Sequence, residues 1–167
     1  MPSPTLRLLL LAALLVPVIG FASEASFGGL TCKDPLEKVL VGRKVPSGRA
    51  SAIEAQYKSL GLKALSGFGG KGEPFGLSWW LICGKEHVLL DVDLTVRAVL
   101  VSPFPPGSPE SSLASCVADS IKIDLAVVFS PSRTTTWPRP IASAWQVDEK
   151  NFKFVPVNVS KISCGPL

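Results

Sequence analysis

The residues that could do chemistry lie close together in the middle of the chain. His87 follows Glu86 and precedes Asp91 and Asp93, and it is the single histidine among 167 residues. Two aspartates spaced two apart on a strand share a face, and such a pair does acid–base work when burial raises the pKa of one member. A Ser-His-Asp arrangement needs a serine on an activating turn, and no G-x-S-x-G elbow occurs. The carboxylates are therefore expected at a strand end facing solvent. A small extracytoplasmic hydrolase using Asp91, Asp93 and His87 is kept as the alternative function. One histidine excludes multi-histidine metal centres and catalytic histidine pairs.

Two further motifs invite a functional reading. Gly67-Phe68-Gly69-Gly70-Lys71-Gly72 has the letters G-x-G-x-x-G. A phosphate site needs those glycines to open a helix, whereas Glu73-Pro74 and a strand pattern follow here. The run reads as a hairpin turn, and no cofactor is expected. Trp137 stands between Thr134-Thr135-Thr136 and Pro138, with Arg133 and Arg139 nearby and prolines at 131, 138 and 140. Trp and Arg dominate binding hot spots, and proline restricts a free loop, so Trp137, Arg133 and Arg139 are the candidate binding residues. Trp79 and Trp80 are adjacent on a strand and must face opposite sides. One is expected in the core against helices and the other beneath a covering segment.

The cysteines speak to compartment. Cys32, Cys83, Cys116 and Cys164 are separated by gaps of 51, 33 and 48 residues, unlike the close pairs of a zinc site, so no metal is expected. An even count in an exported chain reads as two disulfides. Cys32 and Cys164 bracket the domain, which favours Cys32–Cys164 with Cys83–Cys116. Export is read from the first 22 residues: Arg7, an apolar run from Leu8 to Val16, Pro17, and small residues at Gly20 and Ala22. The run is too short for a spanning helix of about 20 residues. Cleavage after Ala22 leaves no stable membrane insertion and a secreted or periplasmic product.

Charge is uneven. The formal net charge is +4, and seven basic residues between Lys33 and Lys63 face only Asp34, Glu37 and Glu54. A basic face can steer an anionic partner, although solvated helices give the same pattern. Nucleic acid is excluded by export and by the lack of an aromatic–basic motif.

These residues need a scaffold. Asp34-Pro35-Leu36-Glu37 predicts a capped helix ending at Gly42, and Ser51 with Glu54 predicts a second ending at Gly61. Period-two patterning then predicts strands over 62–68, 75–83, 87–93, 96–102, 121–129, 141–147 and 152–157. The consecutive Val88, Leu89 and Leu90 suggest cover on both faces. Pro103 to Ser112 and Ser130 to Pro140 read as loops. The expected fold is α+β: a leader over 1–22, then one domain over 23–167. In that domain two N-terminal helices pack on one face of an antiparallel sheet of about six or seven strands, stapled by two disulfides. Removal of 22 from 167 residues leaves enough chain for a true core.

The functional expectation is a secreted or periplasmic binding protein without catalysis, of inhibitor, immunity or ligand-binding type. Its partner is a protein or an anionic envelope component. Besides the hydrolase, a structural envelope component is the other alternative. Asn158-Val159-Ser160 is a glycosylation sequon in a eukaryotic secretory pathway.

Overall fold

The computed structural model describes residues 26–69, 74–105, 111–131 and 136–167. The leader expected over 1–22, part of the glycine run and Arg133 lie outside the described residues. Two short helices, α1 (Leu36–Val39) and α2 (Ala50–Gln56), precede nine strands. These are β1 (Lys63–Phe68), β2 (Gly76–Ile82), β3 (Lys85–Val92), β4 (Thr95–Val101), β5 (Ser111–Ala118), β6 (Ile121–Phe129), β7 (Ser143–Asp148), β8 (Lys153–Val157) and β9 (Ile162–Gly165). Among the described residues, no helix is long and apolar enough to cross a membrane.

The strands form two antiparallel sheets, which overturns the single-sheet α+β expectation. β1–β4 make a meander, and the second sheet runs in the order β8-β7-β6-β5-β9. Tight hairpins explain the local order. Cys83-Gly84, Asp93-Leu94 and Asp119-Ser120 each place two central residues at positive φ, the backbone whose twist matches flanking strands. The chain leaves the first sheet after β4 at Pro103, so β5 starts a new sheet rather than extending the old one. Leu77, Trp79, Val88 and Leu90 pack there against Val127, Phe129 and Val147 of the second sheet. Trp145 stands edge-on to Phe129 with ring centroids 5.4 Å apart. Twisted sheets bury their apolar faces in this way when helices are too short to cover them.

The helices are stunted for identifiable reasons. The Asp34 carboxylate accepts from the Thr31 amide and hydroxyl at 2.6 and 3.0 Å, so it does not cap α1. After α1 the chain pairs with β4: Gly42 N–H donates to Val96 O, Val96 N–H to Arg43 O, and Val45 N–H to Leu94 O. Those ladder bonds end the helix and protect the outer edge of β4. Glu54 does not close a capping box either; its carboxylate accepts from Ala64 N–H at 3.2 Å. The helical segments still cover the outer face of the first sheet, where Phe27, Leu40, Ile53, Tyr57 and Leu60 bury Trp80, Ile82, Leu89 and Val96. β3 is thus covered on both faces, as its apolar run suggested.

The four cysteines form two disulfides, but in other pairs than expected: Cys32–Cys83 and Cys116–Cys164. Cys116 and Cys164 are directly opposed in the β5–β9 ladder. Cys83 lies in the β2–β3 turn, where its amide donates to Leu60 O at 2.7 Å, and there it meets the segment that opens the domain. The two ends of the domain belong to different layers, so a terminus-to-terminus bridge does not form. β5 and β9 are the strands that sequence patterning missed. Ser111-Ser112-Leu113-Ala114-Ser115 carries little β-branched or aromatic character, and only pairing makes it a strand.

Candidate binding site

The middle cluster does not assemble into a catalytic group. His87 is 2% exposed on the helix-covered face of β3, and its Nδ1 donates to Lys85 O at 2.9 Å. Burial pushes its pKa below the ordinary 6.5, and the Lys85 carbonyl and Glu37 oppose that only in part. Asp91 shares that face and is also buried; burial raises its pKa, partly offset by the Leu94 amide. Four residues along a strand separate the two by about 13 Å. Asp93 is not beside Asp91 on a strand face. It sits in the β3–β4 turn at φ 49°, exposed, and its carbonyl accepts from the Lys44 ammonium. Among the described residues, no group of three His, Cys, Asp or Glu is placed to hold a metal ion.

The glycine run joins two strands. Gly67 and Phe68 end β1, Gly69 follows at φ +89°, and β2 starts at Gly76. A Cβ at Gly69 would fall 2.7 Å from Phe75 O, so this turn requires glycine. Among the described residues of this stretch there is no helix.

Both central tryptophans are buried, on opposite faces. Trp80 packs edge-on to Phe27 with ring centroids 6.2 Å apart. Trp79 lies between the sheets, and its indole N–H donates to Ser111 Oγ at 2.6 Å. The Ser111 hydroxyl in turn donates to the Glu86 carboxylate, forming a polar relay across the sandwich.

Trp137 is placed differently. Residues 136–142 cross the outer face of the second sheet between β6 and β7, and Ala142 N–H donates to Phe129 O at 2.8 Å. Trp137 is half-buried on this strap and, with Ile141, packs on Ala114, Ala126, Val128 and Ala144. The Arg139 guanidinium lies 4.6 Å from the Trp137 ring centroid and donates to Ser112 Oγ. Such stacking contributes about 0.5–1 kcal/mol at exposed sites and more when desolvated. Next to the pair is a shallow cleft of about 260 Å³, lined by Pro138, Arg139, Ile141, Val159, Ile162 and Cys164. The structure thus brings Trp137 and Arg139 together with apolar neighbours. Arg133 lies outside the described residues.

The basic segment is in part structural. Arg43 Nε donates to Val39 O, and its Nη1 to Ser26 O and Gly28 O, at 2.8–3.0 Å. Lys44 bonds Asp93 O and Thr95 Oγ1. The Arg43 side chain ties residues 26–28 to α1, and the Lys44 side chain ties the segment after α1 to the β3–β4 turn and the start of β4.

Comparison with known protein families, with curated proteins and with solved structures returns no significant match.

Proposed function

We propose that this protein is a secreted or periplasmic binding protein that holds a partner non-covalently through the strap carrying Trp137 and Arg139. Two disulfides suggest an oxidising, extracytoplasmic environment. The observation that carries the reading is the stacked Trp137–Arg139 pair, half-buried on a proline-braced segment beside a shallow cleft. A braced strap loses little freedom on association, and an aromatic–guanidinium pair matches the residue types that dominate interfaces. The partner is a protein or an anionic component of the cell envelope.

The test is a titration of the mature protein with solubilised envelope fractions, read by tryptophan fluorescence and repeated with Trp137→Ala. A saturable change that weakens by about 2 kcal/mol in the variant supports the strap. Unchanged affinity in a folded Trp137→Ala protein removes it.

A further inference from the structure

The two outer faces of the sandwich differ in charge. The helical segments over residues 26–63 cover the outer face of the first sheet and carry seven basic against three acidic side chains. Arg43 and Lys44 bond oxygens within the domain. Lys33, Lys38, Arg49, Lys58 and Lys63 are exposed, and among the described residues none of them makes an ion pair. Asp34 and Glu54 bond to Thr31 and to the Ala64 amide instead, which leaves Glu37 as the exposed acid of this layer. The second half of the chain is arranged differently: Lys122, Lys153 and Lys161 pair with Asp124, Asp148 and Asp119. Unpaired cations gathered on one layer set up a positive field that nearby carboxylates do not cancel.

The cations are carried on separate segments. Lys33 and Lys38 belong to the α1 segment, Arg49 and Lys58 bracket α2, and Lys63 opens β1. An extended anionic surface can meet all of them, whereas a small anion cannot. Beside the layer stand two large apolar side chains: Val41, just past α1, is 47% exposed, and Leu94, in the turn that the Val45 amide joins, is 48% exposed. The aromatic residues of the layer, Phe27 and Tyr57, are buried, so no ring is offered for a sugar to stack on. Spread cations with exposed aliphatic side chains suit a lipid interface, which supplies phosphates to the cations and takes in apolar groups at headgroup depth. Connectivity agrees. Ser26, four residues past the expected leader, bonds Lys44 O at 3.0 Å, so the leader joins the domain on the basic side.

We infer that the basic helical layer is the face by which this protein lies on an anionic phospholipid bilayer, peripherally and reversibly. The strap covers the outer face of the other sheet, so it is turned away from the membrane and stays open to a partner. The two surfaces are separate, and either proposal can fail alone. Each cation close to such a bilayer strengthens binding about fivefold, and salt screens the attraction. The apolar side chains add area that salt does not weaken.

The test is co-sedimentation of the oxidised mature protein with phosphatidylcholine vesicles holding about 30% phosphatidylglycerol, set against pure phosphatidylcholine vesicles. Binding is expected to the anionic vesicles and not to the neutral ones, and should fall about tenfold or more between about 0.02 and 0.5 M salt. Lys38→Ala combined with Lys58→Ala should weaken it about tenfold or more, and Val41→Asp about fivefold. Lys122→Ala combined with Lys153→Ala removes the same formal charge from the other sheet and should change binding by less than about twofold, as should Trp137→Ala. Equal losses from the two lysine pairs would overturn the proposal, because net charge alone would then account for the binding. Equal binding to neutral vesicles, or none to anionic vesicles at low salt, would overturn it too. Retention on an acidic polysaccharide such as alginate, without vesicle binding, would hand the layer to that class of partner instead.

Discussion

The Asp91 carboxylate occupies the space in which a side chain on Gly76 would stand. A Cβ at Gly76 would lie 2.9 Å from Asp91 Oδ2 and 3.1 Å from Oδ1, and the two residues are direct partners in the β2–β3 ladder. A buried carboxylate at the end of a ladder is thus accommodated by the absence of a side chain opposite it. Gly76→Ala should destabilise the fold by about 1–3 kcal/mol, the usual cost of overpacking. Asp91→Ala in the same chain should recover part of that loss, because the colliding group is gone. Urea unfolding of the two single variants and the double variant measures the coupling. Additive effects would mean that the strand shifts freely and the contact is not tight.

The pH dependence of stability has two opposed parts. His87 is held neutral by burial, so below its ordinary 6.5 the unfolded chain takes a proton before the folded one does. Stability is then lost as pH falls from 6.5 toward the lowered folded value. Asp91 behaves in the opposite sense. The folded form keeps its proton above the ordinary 3.8, and stability is lost as pH rises from there through the raised folded value. His87→Gln should flatten the urea-midpoint profile just below pH 6.5, and Asp91→Asn should flatten it above 3.8. A His87→Gln profile parallel to that of the parent would show that the imidazole is not shielded from water.

The two disulfides close loops of similar length, 51 and 48 residues apart in sequence. The chain-entropy model assigns each about 4 kcal/mol, with native strain able to lower the value. Non-reducing peptide mapping should recover a peptide joining Cys32 to Cys83 and another joining Cys116 to Cys164. Cys116→Ser with Cys164→Ser should free β9 first, seen as faster hydrogen exchange at residues 162–165 and no change at β2. A mapped Cys32–Cys164 peptide would contradict the layer arrangement.

Arg43 separates structural charge from solvated charge. Its three bonds to backbone carbonyls anchor the domain's opening segment, and hydrogen bonds from a charged group contribute about 1.5–3 kcal/mol where they are shielded. Arg43→Ala should lower stability by an amount in that range, while Lys38→Ala, on an exposed helical position, should change it by less than about 0.5 kcal/mol. Thermal melts of the two variants side by side decide this. Equal melts would mean that the guanidinium is replaced by water without loss.

Periodicity in the sequence was enough to place seven of the nine strands and to put Trp79 and Trp80 on opposite faces, because side-chain alternation is a local property of extended chain. Glycine between apolar runs likewise marked the turn at Gly84, whereas the alternation put Asp93 on a strand and the structure puts it in the β3–β4 turn. Local pattern also suggested that β3 is covered twice, since Val88, Leu89 and Leu90 leave no polar face. It did not reveal what covers it. The choice between one sheet and two depends on where the chain goes after Pro103, and sequence spacing carries no information about that direction. β5 and β9 escaped notice because their serines, alanines and glycine have weak strand preference; β5 becomes a strand by pairing with β6, and β9 by pairing with β5. For the same reason Cys116 and Cys164 find one another in a ladder that no linear spacing announces. The capping boxes failed because Asp34 and Glu54 had better partners in Thr31 and Ala64. Residue type singled out Trp137 and Arg139, but their stacking and position over the second sheet, and the exposure of Phe68 at the end of β1, follow from packing between distant segments. Propensity acts over a few residues, whereas layers, edges and clefts are fixed by contacts between segments far apart in the chain.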